Sequence, residues 1–96
     1  MNVEKVFNPE APDEFSAEDL LIALPRAIVK EQRIYHLEFQ PSIKDDNLEF
    51  ITLYRCESNS TVFGVSAPSP KASLLSAANW LLKNEIIVSI KKYTNG

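Results

Sequence analysis

Ile34-Tyr35-His36-Leu37-Glu38-Phe39-Gln40 decides the fold, because here the hydrophobic pattern changes from helical spacing to strict alternation. Tyr35, Leu37 and Phe39 fall on one side of an extended chain, and His36, Glu38 and Gln40 on the other. Pro41 is expected to end this strand and open a polar hairpin turn through Asn47. A second alternating run follows from Leu48 to Glu57. Leu48, Phe50, Thr52, Tyr54 and Cys56 share one face of it, and Glu49, Ile51, Leu53, Arg55 and Glu57 the other. After Ser58-Asn59-Ser60 comes a third run, in which Thr61, Phe63, Val65 and Ala67 alternate with Val62, Gly64 and Ser66. Three consecutive strands with short connections predict an antiparallel meander.

Working outward, both flanks read as helices. On the N-terminal side Ser16-Ala17-Glu18-Asp19 has the form of a capping box, with Phe15 and Leu20 at the spacing of a hydrophobic staple. Leu20, Leu21, Leu24 and Ile28 continue on one helical face, and Pro25 predicts either a kink or two short helices over 17–24 and 25–32. On the C-terminal side Ser69 suits an N-cap and Pro70 the first helical position. Leu74, Leu75, Ala78, Leu81 and Leu82 then form an apolar stripe ending near Asn84. The β-branched run after Glu85 favours an additional strand at 86–92, the alternative being a longer second helix. The expected fold is therefore α+β: an α-β-β-β-α two-layer sandwich on an antiparallel sheet, with a possible extra C-terminal strand. Its expected core sets Leu20, Leu24, Ile28, Leu74, Leu75, Ala78 and Leu82 against Tyr35, Leu37, Phe39, Phe50 and Phe63, or against their opposite-phase neighbours, since a one-residue slip in register exchanges the strand faces.

Residues 1–15 form an acidic arm with Pro9 and Pro12, an extended lead-in to a single domain over 16–96. The whole chain has 96 residues, a net charge of −3 and 45% hydrophobic residues, which is globular composition with no strong pull toward polyanions. No apolar run reaches the roughly 18 residues a membrane span needs, and no secretory signal is visible, so a cytoplasmic protein is expected. One cysteine and one histidine make neither a disulfide framework nor a zinc site.

Gly64-Val65-Ser66-Ala67-Pro68-Ser69-Pro70-Lys71-Ala72-Ser73-Leu74-Leu75-Ser76-Ala77-Ala78 resembles the double-stranded RNA-binding domain, where a third strand leads into a basic helix start and a small Ala-Ala pair. With the α-β-β-β-α order, the similarity spans residues 16–84 and is most specific at Ser69–Ala78. It implies phosphate contacts from the second helix, for which Lys71 stands at a matching position and Lys83 farther along. Pro70 and Leu74 stand where that family has further lysines. Asp45 and Asp46 occupy the loop that would enter a minor groove, and an acidic loop opposes the phosphate contacts that dominate RNA affinity.

Self-contained chemistry is not legible. His36 and Cys56 invite a base–nucleophile reading, but they alternate onto opposite strand faces. Asp45-Asp46 lacks the spacing of a calcium loop, and two glycines in the whole chain cannot build a phosphate-binding loop. No cofactor is expected. The residues that call for explanation are apolar: Ile51 and Leu53, opposite the core face of their strand, and Trp80, roughly 160° from the centre of its helix stripe at about 100° per residue. Each is expected to be covered by the arm, by the last strand or by a partner. The preferred reading is a non-catalytic protein-binding module or small regulator or inhibitor, acting through Ile51, Leu53 and Trp80 on another protein or as a homodimer. The alternatives are a double-stranded RNA-binding protein and a non-catalytic enzyme subunit.

Overall fold

A computed structural model describes residues 2–95; Met1 and Gly96, at the ends of the expected arm and domain, lie outside them. The α+β architecture is as expected, with two helices and antiparallel sheets. The first helix, α1 (Ala17–Ala23), starts where its capping box predicts. Ser16 Oγ accepts from the Asp19 amide at 3.1 Å, and the Ser16 amide donates to Asp19 Oδ2 at 2.9 Å. Phe15 and Leu20, the staple pair, are both fully buried.

Past α1 the expectation of a second short helix over 25–32 is corrected. A residue before proline is driven toward extended backbone, and Leu24 adopts φ −65°, ψ 141°, which ends the helix. The chain instead forms β2 (Ala27–Lys30), which turns through Glu31-Gln32 into β3 (Arg33–Lys44). Ile28 pairs with Tyr35, and both are buried, so Ile28 does reach the core, but from a strand. The main sheet consequently has four strands rather than three, in the order β2-β3-β4-β5, with β4 (Asn47–Arg55) and β5 (Thr61–Ala67) completing it.

Pro41 does not end β3 either, since it pairs with Phe50 in mid-ladder. The reason lies in strand direction. The Leu37 amide donates to the Arg26 carbonyl at 2.9 Å, so Leu37, and by alternation Phe39, Pro41 and Ile43, point their backbone groups toward the β2 side. By position 41, β2 has ended. The nitrogen that cannot donate faces an open edge, so no ladder bond is lost.

The second helix, α2 (Pro70–Lys83), has Ser69 as its N-cap, its Oγ accepting from the Ala72 amide at 3.1 Å. It ends in a Schellman motif: the Glu85 amide bonds Leu82 O and the Ile86 amide bonds Leu81 O, with Glu85 at φ 56°. After this stop residues 86–90 run as irregular chain, with Ile86 and Ile87 half-buried against the core, Val88 exposed and Ile90 buried. The C-terminal strand, expected over 86–92, is the later Lys91–Asn95. That strand, β6, pairs antiparallel with β1 (Asn2–Val6), so the acidic arm begins as one half of a two-stranded ribbon.

The core lies where α2 covers β4 and β5 and α1 packs beside α2. Thr52 and Tyr54 face the helices, as their strand phase predicts, and neither has solvent access. Their polar atoms are satisfied there: Thr52 Oγ1 donates to Ser73 Oγ at 2.9 Å, Ser73 Oγ donates to Pro70 O, and the Tyr54 hydroxyl donates to Pro25 O at 2.9 Å. Burial also pushes the Tyr54 phenol up to about 12. On α2 the buried apolar positions are Leu74, Ala77, Ala78 and Leu81, beside the buried Ser73, while the expected Leu75 and Leu82 are half-buried on the flank. At roughly 1.5–3 kcal/mol for each large apolar side chain, these contacts hold the two layers together.

Candidate protein-interaction surface

Beyond the Phe50–Ala67 pair, β5 has ended and α2 has not yet begun, yet β3 and β4 continue as a ladder to Lys44 and Asn47. The turn is Asp45-Asp46, at φ 51° and 64°, the two left-handed positions of a tight hairpin in which aspartate is tolerated. At 3.3 Å per residue this arm projects about 13 Å past the rest of the sheet. Directly paired residues share a face, so Phe39, Pro41, Ile43, Leu48 and Phe50 all lie on the face that is core at the root of the same strands. Phe39 and Phe50 are half-buried, their rings stacked with centroids 6.2 Å apart. Ile43 is 77% exposed and Leu48 55%. Reading Pro41–Asn47 as a polar turn concealed this surface. The signal that could have revealed it is the in-phase placement of Ile43 and Leu48 with Phe39 and Phe50.

The residues singled out from sequence are dispersed. Ile51 and Leu53 lie on the face away from the helices, where Ile51 is half-buried and Leu53 only 7% exposed. In the ladder Leu53 stands between Glu38 and Gly64, and Glu38 Oε2 reaches diagonally to Arg55 Nε at 3.4 Å beside it. Trp80 is on the opposite side of the sheet, half-buried, with its ring stacked on Phe63 at 4.9 Å and Tyr54 at 6.3 Å. Lys71 is paired with the exposed Asp13 at 3.4 Å, and Lys83 is exposed at the far end of α2.

His36 and Cys56 do converge, although strand phase separates them. With Gln32, Arg33, Ile34, Glu57 and Ser58 they line a cavity of about 500 Å³. Ser58 Oγ lies 3.0 Å from Cys56 Sγ and holds the thiol down at about 7, since a hydrogen bond favours the thiolate. No hydrogen bond joins His36 to Cys56 among the described residues, and no group of three metal-ligating side chains gathers there. No described helix is long and apolar enough to cross a membrane. Comparison with protein-family models, with curated proteins and with solved structures gives no match.

Proposed function

We propose that this chain is a non-catalytic protein-binding module that grips its partner with the apolar face of the β3–β4 arm. The observation that carries this reading is the row that runs from Phe39 and Phe50, half-buried at the rim of the core, through Pro41 to Ile43 and Leu48, which keep the apolar pattern after the core has ended. A contiguous apolar face on a projecting hairpin is costly to leave in water, and a protein surface that covers it gains roughly 1.5–3 kcal/mol for each large side chain buried. In this reading the arm makes the contact, and Ile51, Leu53 and Trp80, the residues expected from sequence to bind the partner, stand outside it.

A photo-crosslinking residue at position 43, expressed in the native host, tests this. A discrete protein adduct is expected, absent from the same probe at Lys83 and lost when Leu48→Asp is added. Equal labelling from positions 43 and 83 overturns the reading. Retention on duplex RNA that falls steeply with salt and is lost in Lys71→Glu decides for the nucleic-acid alternative instead.

A further inference from the structure

The edges of the main sheet differ in how they are protected. A two-residue turn closes on a hydrogen-bonded pair, so Lys44 and Asn47 point toward each other. By alternation Phe50, Thr52 and Tyr54 point toward β5, and their partners Ala67, Val65 and Phe63 point back. Gly64 and Ser66 are left with amide and carbonyl directed away from the sheet. Both residues are exposed, and neither amide has a hydrogen-bond partner among the described residues. Natural proteins blunt such edges with proline, charge or brevity. The β3 edge carries Pro41, and β2 is four residues long and carries Lys30. β5 has seven residues, Thr61–Ala67, with no charge and no proline. This edge is unguarded.

We propose that β5 pairs with β5 of a second copy of this chain, antiparallel about a two-fold axis at Val65. In that register Gly64 of each copy faces Ser66 of the other, and both free donors and both free acceptors of each edge are used, giving four hydrogen bonds across the axis. Only an extended backbone offers this pattern, and several features of β5 select its own copy. Uncharged strands place no like charges opposite one another. On the outer face the apposed side chains are the two smallest available, Gly64 and Ser66. On the inner face Val65 meets Val65, and Phe63 meets Ala67. Strands spaced about 4.8 Å apart, with α2 lying over β4 and β5, set the two α2 axes about 10 Å apart, the ordinary distance for packed helices. Trp80 stacks on Phe63 and so lies on the flank of α2 nearest this edge. Its half-exposed ring is covered by the second copy.

Sedimentation equilibrium and the fluorescence of Trp80, the chain's single tryptophan, provide the test. A side chain at Gly64 meets only ordinary contacts, at 3.5 Å from Thr61 and 3.7 Å from Leu53, so substitutions there leave the monomer intact. The wild type is expected to be a dimer of 10.8 kDa chains whose tryptophan emission shifts to the red on dilution. Gly64→Lys with Ser66→Lys sets like charges opposite across the axis and weakens the dimer on the order of 100-fold. Gly64→Glu with Ser66→Lys sets opposite charges there, leaves a donor beside Glu49, whose Oε2 accepts from Ser66 Oγ at 3.0 Å, and retains the dimer. Ile43→Thr with Leu48→Thr, which disables the arm, leaves the dimer unchanged, so this pairing and the arm reading fail separately. A wild type that stays monomeric, a dimer indifferent to the Lys/Lys variant, or a dimer lost equally in the Glu/Lys variant overturns the proposal.

Discussion

β3 and β4 are the same two strands at their root and at their tip, yet the two regions have different fates. At the root Thr52 and Tyr54 are sealed beneath α2; a few residues along the same face, Leu48 and Ile43 stand in water. Alternation is equally good in both. What differs is the length of the neighbours, since β5 stops at Ala67 and α2 starts at Pro70, and neither reaches the arm. A strand's pattern therefore says which side chains share a face, and its neighbours decide whether that face is core or surface.

The largest effect that can break this contrast is a core truncation. Leu81→Ala removes a side chain with no solvent access and should cost about 2–5 kcal/mol in urea unfolding, whereas Ile43→Thr should stay within about 0.5 kcal/mol. Comparable losses at both positions would show that the arm is packed after all. Next is the buried hydroxyl pair. Ser73→Ala leaves the Thr52 hydroxyl without an acceptor and should cost about 1–3 kcal/mol, of which the double variant with Thr52→Val recovers part. Additive losses would mean that the bond contributes nothing at the root.

The smallest effect concerns the terminal ribbon. Lys92 Nζ donates to Asp19 Oδ2 at 2.8 Å and to the Glu14 carbonyl, and it lies 4.6 Å from the centre of the Phe15 ring. The bond from Lys92, with that from the Ser16 amide, holds the Asp19 carboxyl below its ordinary 3.8. A depressed carboxyl stabilises the folded state fully above its unfolded value, and this stabilisation fades as pH falls below about 3.8 through the folded value. Lys92→Met should speed amide exchange in β1 and β6 at neutral pH, leave β4 protected, and flatten the acid limb of stability. An unchanged acid limb would show that Lys92 does not hold the ribbon through Asp19.

The parts of the fold legible in the sequence are those written in local chemistry. The capping box at Ser16, the N-cap at Ser69 and the phase of Thr52 and Tyr54 each depend on residues a few positions apart. The parts that were not legible depend on distant partners. Glu31 and Gln32 sit at φ 52° and 65°, in a turn whose usual residues are asparagine and glycine, so β2 had no turn signal to announce it. Pro41 is harmless only because β2 ends before reaching it. β1 is a strand only because β6 lies beside it. The candidate surface was missed for the same reason, since Ile43 reads as part of a loop until the ladder is seen to run past Pro41.

The ribbon also bears on the order in which the chain closes. Two of the three hairpins of the main sheet join strands across two-residue turns and the third spans only residues 56–60, while β1 meets β6 by bringing Asn2 opposite Asn95, across nearly the whole sequence. Chain-closure entropy grows with the length of the loop, and pairings of great sequence separation are the slow ones. Phe7 and Ile90, joined by an amide–carbonyl bond of 2.7 Å and buried together, offer their contacts only to a core that α1 and α2 have already built. The same exchange measurement reads the result: amides of β1 and β6 open on their own, ahead of β4, and the ribbon is the last segment to join the folded molecule and the first to leave it.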